Sequence, residues 1–404
     1  MIRFAFVVVA FAHVLSPIYA QAEVTCALVS SAMGIASSLR GLSVEKDVVC
    51  AMKQRHEVEK YLRDTIDKKI PKKKIQAEET VYKMLGVIPS DFDYVNGVIK
   101  LYTDQLGGYY DPDTKEYAMA AWLPASMQTS IAVHELTHAL QDQHFHLTSF
   151  ISHENATTDE LMARSALIEG DATAVMVDYA RALQGLPSIS KESSVSAFVI
   201  QNIAGAMLSS GLHSAPPALQ SMLIFPYVSG LHFAHALLRE GGYKKINASF
   251  KNPPSSTEQI LHPEKYLKNE LGKVTDKDLQ KVIDDFYPEY QIDHADTLGE
   301  FFISTWASIW ISPYEASSAA RGWSGDRLIL LKKEGSDQSV LILKTRWDSI
   351  QDKDEFLQAL IRMISTRFSL KPEVINSEHV FQESDSIKAR VTERENDVTV
   401  HFLR

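Results

Sequence analysis

The residues best suited to chemistry lie in Ile131-Ala-Val-His-Glu-Leu-Thr-His-Ala-Leu140. His134 and His138 are four positions apart. On an α-helix that places them about 40° apart on one face, one turn above the other. Two imidazoles so placed can share one zinc ion. Glu135 lies about 100° round from His134. It therefore flanks the metal position, where it can hold a water and take its proton as a general base. Zinc brings the pKa of such a water to about 7, so the base need not be strong. In a chain with 14 histidines a chance match to this spacing arises roughly a few times in a hundred, and the apolar frame raises the specificity. Ile131, Val133, Leu136, Ala139 and Leu140 suit a buried helix. Burying two histidines and a glutamate among them without a purpose would be costly. The alternative is a helix with surface histidines.

A site of this kind needs a third protein ligand, and two residues compete. His144 follows His138 by six positions, but the residue between them that would have to turn the chain is Gln141, a good helix former. If the helix continues, His144 points about 240° away from His138. Glu169, in Ala166-Leu-Ile-Glu-Gly-Asp-Ala-Thr-Ala-Val-Met, interrupts an apolar helical run. A buried carboxylate must be paired or bind metal. Met162, Ala166, Glu169, Thr173 and Met176 share one helical face, so Glu169 points into a packed interface. Gly170 would let another backbone come close. Asp171 reads as a supporting hydrogen-bond acceptor. The alternative for Glu169 is a structural buried carboxylate.

The elements that must carry these residues are mostly helical. Helical patterns run over 45–70, 81–85, 94–106, 130–144, 157–183, 195–209, 217–240 and 276–286. Thr129 or Ser130 can cap the histidine helix, and Thr157 opens the next. Before the histidine helix, two strand-like runs flank Asp111-Pro-Asp-Thr-Lys115 and predict a hairpin. After Gly322 the texture changes to strands over 327–332, 340–347, 387–393 and 398–403, with a helix over 352–365. The expected fold class is α+β, a mainly helical catalytic domain with a small mixed sheet followed by a C-terminal α+β domain. The boundaries fall at 1–22 for a leader, 23–75 for an N-terminal helical segment, 76–315 for the catalytic domain and 316–404 for the last domain.

His134-Glu135-Leu-Thr-His138 followed by Glu169 on a second helix resembles the gluzincin branch of the zincin metallopeptidases. More narrowly, residues 138–145 (HALQDQHF) and 169–172 (EGDA) resemble a group of exported bacterial HExxH proteins. Pro226-Tyr227, residues 256–263 and residues 322–326 look like later motifs of that group. The zincin likeness covers about residues 107–183, and the narrower one runs to about 356. It implies His134, His138 and Glu169 as ligands to one zinc per chain, and it implies no substrate. There are departures. Gluzincins often carry an aspartate four positions after the glutamate ligand, and here that position is Thr173. The residue that orients a histidine must then come from elsewhere, and Gln141 and Asp142 lie near the histidine face. The gap between His138 and Glu169 leaves room for a loop over 146–156. Zincins place an edge strand above the active-site helix, where a peptide can add as another strand. Tyr117–Ala121 is the expected edge strand. For the residue that stabilises the oxyanion, Tyr227, His232, His235, His262 and Tyr266 are candidates. His262 is favoured because its proline-flanked polar segment is unlike a core helix.

Arg3, the apolar run Phe4–Leu15 and the small residues of Ala20-Gln21-Ala22 read as a cleavable leader, so export to the periplasm or outside is expected, with cleavage near 20–22. No later stretch reads as a membrane span. Cys26 and Cys50 are the two cysteines, and in an exported chain such a pair is expected to be a disulfide. Residues 23–70 could be a removable pro-segment. A net charge of -10 argues against nucleic acid as partner. The function expected is a zinc-dependent metallopeptidase acting on a peptide or protein. Its rivals are a zinc-retaining but silent peptide-binding protein and an interaction module served by the C-terminal domain.

Overall fold

A computed structural model of the chain describes residues 7–9, 26–152, 156–199, 214–270, 272, 277–384 and 386–404. The expected cleavage position near 20–22, residues 153–155 of the expected loop and residues 200–209 of the expected helix lie outside them.

The fold is α+β. The N-terminal part holds α1 (Val29–Arg40), α2 (Arg55–Lys69), α3 (Lys72–Leu85), α4 (Tyr94–Gln105), α5 (Ala125–Phe145), α6 (Leu147–Phe150), α7 (Thr158–Ala182) and α8 (Pro217–Lys251). Its small mixed sheet is built from β1 (Val7–Val9), β2 (Val49–Lys53), β3 (Leu106–Asp111) and β4 (Glu116–Ala120), in the order β1–β3–β4–β2. Only the β2–β4 pair is parallel. Helices α9 (Thr257–Leu261), α10 (Pro263–Leu267) and α11 (Lys277–Phe286) lead into the C-terminal part. There β5 (Tyr290–Asp296), β6 (Trp323–Lys333), β7 (Ser339–Trp347), β8 (Glu373–Ile375), β9 (Glu378–Glu383), β10 (Ser386–Arg394) and β11 (Asp397–Leu403) form one antiparallel sheet, ordered β5–β6–β7–β11–β10–β9–β8. Helices α12 (Gly299–Ala307) and α13 (Pro313–Ala320) lie between β5 and β6, and α14 (Ile350–Phe368) follows β7. The sheet thus takes its first strand from ahead of the boundary expected at 315/316. The two parts share one core, since Leu328, Leu343 and Phe402 belong to the same buried cluster as Leu136 and Val175.

Three sequence expectations change. The hairpin forms as β3 and β4, but β4 is no edge strand: β2 lies along its other side, from Val49 opposite Glu116 to Lys53 opposite Ala120. The apolar, half-buried character of residues 49–53 was masked by the charged segment that follows. Helix α5 starts at Ala125, ahead of Thr129 and Ser130, with Pro124 in the N-cap position and no side-chain cap. Helix α8 is long and apolar enough to cross a membrane, contrary to the expectation that no such stretch exists. In this fold 67% of its apolar window is buried inside the protein, so that surface is spent on packing. Pro226 is accommodated within it, and the helix is broken at Gly241–Gly242, where the backbone leaves helical geometry.

The crossing of α7 and α8 sets the position of Glu169. A Cβ on Gly170 would sit 2.1 Å from the Gly230 carbonyl oxygen, and one on Gly230 would sit 2.2 Å from that of Ala166. Only backbone fits at this contact, as Gly170 suggested in the sequence. Gly170→Ala and Gly230→Ala are each expected to lower stability by about 3 kcal/mol or more, because backbone and not a flexible side chain must move. Urea unfolding measures this, and a loss below about 0.5 kcal/mol in either variant would contradict the crossing.

Two buried aspartates lie near the junction of the two parts, where the Asp159 amide donates to Thr297 O. Asp159 Oδ1 accepts from the amide and hydroxyl of Thr257 at 2.8 and 2.6 Å. Asp326 accepts from the amides of Leu298 and Gly299, both at 2.8 Å. Burial pushes Asp159 up to about 8 and Asp326 up to about 7, against the lowering effect of these donors. Both therefore bind a proton more tightly folded than unfolded. Their contribution is full below the ordinary carboxylate range of about 4 and is lost as pH rises to about 8. Asp159→Asn should flatten that part of the pH dependence. The expected observation is a Tm that falls less between acid and mildly alkaline pH than in the parent protein.

Candidate metal centre

Helices α5 and α7 pack against each other and bring the two parts of the sequence motif together. Helix α7 opens with a capping box, Thr157 receiving the Glu160 amide and Glu160 receiving that of Thr157. That fixed start sets the phase that turns Glu169 toward α5. His134, His138 and Glu169 are all buried, and each offers a ligand atom within 4.8 Å of the others. His134 Nε2 lies 3.0 Å from His138 Nε2 and 3.1 Å from Glu169 Oε2. His138 Nε2 lies 3.4 Å from the same oxygen. Ligands at about 2.0–2.1 Å from one ion in tetrahedral array are about 3.3–3.4 Å apart. The 3.4 Å edge matches that triangle and the other two fall about 0.3 Å short of it, so the donor set fits a metal ion with a small opening of the cluster.

The electrostatics agree with a tight cluster. Burial acting alone would raise Glu169, but the two imidazoles hold its carboxyl down at about 2. Burial pushes His134 down to about 4, which keeps its ring neutral and able to ligate. Burial also opposes charge on His138, but the Glu169 carboxylate outweighs it and raises that ring.

Glu135 is fully buried beside the triad, and its Oε2 accepts the Tyr110 amide of β3 at 2.8 Å. The hairpin therefore holds the carboxylate, which flanks the ligands as the helical phase predicts. His138 Nδ1 lies 2.8 Å from Gln141 Oε1, and Gln141 Nε2 donates to Ile168 O at 3.1 Å and to Asp171 Oδ2 at 2.8 Å. Of the two candidates for orienting a histidine, Gln141 does so. Asp142 instead receives Tyr110 Oη, Lys115 Nζ and the Leu147 amide, which ties the hairpin to the end of α5. Among the described residues His134 Nδ1 has no hydrogen-bond partner, and Tyr227 packs beside that ring at 6.2 Å between centroids.

The other sequence candidates are dispersed. His144 lies near the end of α5, where its ring bonds to Ser43 O at 2.8 Å, far round the helix from the ligand face. His262 does not join the triad in any described contact. Its Nε2 pairs with Glu300 at 2.9 Å, and its ring is raised chiefly by that hydrogen bond. His235 bonds to Ile189 O and Glu192 O, and Tyr266 to Asn252 O. His232 is half-buried and makes no described contact with the triad. Tyr227 alone of these candidates touches the cluster: it lies against His134, and its hydroxyl is raised by burial and by Glu169, with which it hydrogen bonds. The signal was present in the sequence, since Tyr227 follows a helix-interior proline, but the polar setting of His262 outweighed it.

The model of a domain of unknown function, DUF8575, matches residues 289–402. That span begins at the first strand of the C-terminal sheet and leaves the metal centre outside it. No curated protein and no solved structure matches the chain.

Added divalent metal should stabilise the chain by about 2.7 kcal/mol at a free concentration about 100 times Kd. His138→Ala and Glu169→Ala should lose that gain. Differential scanning fluorimetry with and without metal reads it, and an equal metal-induced rise in the two variants would remove the site.

Proposed function

We propose that this chain is an exported zinc metallopeptidase, related in its site to the gluzincins, with His134, His138 and Glu169 holding one zinc and Glu135 acting as general base. The observation that carries the reading is the buried His-His-Glu triangle with a second carboxylate fixed beside it by a backbone amide. A structural zinc site closes with four protein ligands, whereas three ligands and a flanking carboxylate suit chemistry. Bound zinc would supply Lewis acidity toward a carbonyl and lower the pKa of a water.

The chain's own groups do the rest. Glu135, locked by the Tyr110 amide, takes a proton from water and later passes it to the leaving amine. Tyr227 replaces His262 as the favoured donor to the developing oxyanion, because it alone of the candidates lies against the cluster. Its raised pKa keeps the hydroxyl protonated and able to donate. A peptide substrate is supported by the sheet. The outer edge of β3 receives β1 as an antiparallel strand, with Val7 opposite Tyr109 and Val8 opposite Gly108. If the leader is cleaved near 20–22, that edge becomes available to an extended peptide beside Tyr110, whose amide holds Glu135. Export is supported by the leader pattern and by the Cys26–Cys50 disulfide, which an oxidising compartment maintains.

The test is cleavage of a mixed peptide library by zinc-loaded mature protein. Glu135→Gln should keep its zinc and lose at least about 100-fold in rate. Tyr227→Phe should lose about 100-fold in kcat or more with little change in KM. Bound zinc with no cleavage of any peptide would favour a silent peptide-binding protein.

A further inference from the structure

We propose that Arg40 is a positioning residue of the metal centre: acting through Asp171 and Gln141, it fixes which ring nitrogen of His138 faces the other ligands. The N-terminal helix is then a standing part of the site and not a removable pro-segment. The inference rests on the metal-centre reading and extends it to a part of the chain that carries no ligand.

Arg40 is the last residue of α1 and is completely buried. Its Nε lies 2.7 Å from Asp171 Oδ1 and 2.8 Å from Oδ2, and its Nη2 donates to Asn247 Oδ1 at 2.8 Å. The guanidinium also lies over the Tyr243 ring, 4.6 Å from the centroid. Asp171 is equally buried, with side-chain exposure of 0%. Without a cation there, its carboxylate would stand uncompensated in the interior, an expensive arrangement.

The consequence for the metal runs through one amide. Gln141 has a donor end and an acceptor end, and its surroundings choose between them. Ile168 O and Asp171 Oδ2 both accept, so the amide nitrogen must face them. Oε1 is then turned to His138 Nδ1 at 2.8 Å and can only accept from it. His138 must carry its proton on Nδ1, which leaves the lone pair on Nε2, the atom that faces His134 and Glu169. If the Asp171 acceptor is lost or displaced, Gln141 can turn over. Its amide nitrogen then faces Nδ1 and favours the tautomer whose Nε2 carries a proton and cannot ligate.

The rest of the N-terminal segment holds Arg40 in place. Helix α1 packs on both α5 and α7, the helices that bear the ligands. The Cys26–Cys50 disulfide ties the residues before α1 to β2, and β2 is paired with β4 of the site hairpin. One end of α1 is therefore fastened to the sheet and the other to the ligand-bearing helix.

The experiment measures zinc affinity by competition with a chromophoric chelator on the full chain with its disulfide intact. It compares wild type, Arg40→Met, Arg40→Lys and Asp171→Asn. The apo proteins' Tm and the downfield proton resonance of the His138 ring N–H are recorded alongside. Arg40→Met and Asp171→Asn should each lose about 10- to 100-fold in zinc affinity and lose or shift that resonance. Arg40→Lys, which keeps a cation beside Asp171 but loses the planar fork, should bind more tightly than Arg40→Met and less tightly than wild type. Should Arg40→Met fail to fold, Asp171→Asn, which changes few atoms, and the Lys variant carry the comparison. Zinc affinity and the ring N–H resonance unchanged in folded variants, with only Tm lowered, would overturn the proposal and leave the metal centre standing. No zinc uptake by the wild-type chain would sink both.

Discussion

Charge taken out of water at the crossing of α5 and α7 is the constraint around which the rest of this structure is arranged. Glu135, Glu169 and Asp171 are all buried there together with two imidazoles. Each carboxylate must be answered by a donor or a cation, because the interior cannot hydrate it. The answers come from different parts of the chain: the β3 backbone for Glu135, the imidazoles for Glu169 and Arg40 for Asp171. The hairpin, the histidine helix and the N-terminal helix therefore depend on one another, and the ligand triangle is what their mutual satisfaction leaves at the centre.

Precision of that triangle rests on close backbone packing more than on hydrogen bonds. Gly170 is the residue after Glu169, and it meets Gly230 with no room for a Cβ on either. A helix seated that closely cannot rotate without breaking the contact, so the direction of Glu169 is fixed by packing. The same contact carries α8, and with it Tyr227, up to His134. One pair of glycines thus positions a candidate ligand and the candidate oxyanion donor together.

The candidate ligands are legible in the sequence because helical phase is a local property. Spacings of four residues within one helix and an interrupted apolar stripe in another single out His134, His138, Glu135 and Glu169. Gly170 announced a close approach, though not its partner. What stayed hidden was everything that long-range pairing decides. Residues 49–53 carry no strong strand pattern and become a strand only because β4 offers them an edge. Arg40 looks like an ordinary helix-terminal cation until α1 is laid against α7. His262 looked functional because its surroundings are polar, but that polarity answers Glu300. Helix α8 reads as membrane-like in composition because it is packed by protein along most of its apolar length.

The C-terminal part is bound into the same arrangement. Helix α7 starts at Thr158, whose amide and hydroxyl are both accepted by Asp296 at the end of β5. The next residue, Asp159, receives Thr257, and the Asp159 amide donates to Thr297 O. Asp326 of β6 in turn caps the amides of Leu298 and Gly299 just beyond. If the matched domain at residues 289–402 were an independent module on a tether, Thr158, Asp296 and the Asp159 amide would each lose a partner on separation, at a cost of about 1–3 kcal/mol apiece. Proteins do not leave such groups at a boundary that has to open. The helix that bears Glu169 is instead anchored at its start by the C-terminal sheet, at its middle by α8 and one residue further on by α1. A role for the C-terminal domain apart from the metal centre would have to operate through a helix whose register that domain itself sets.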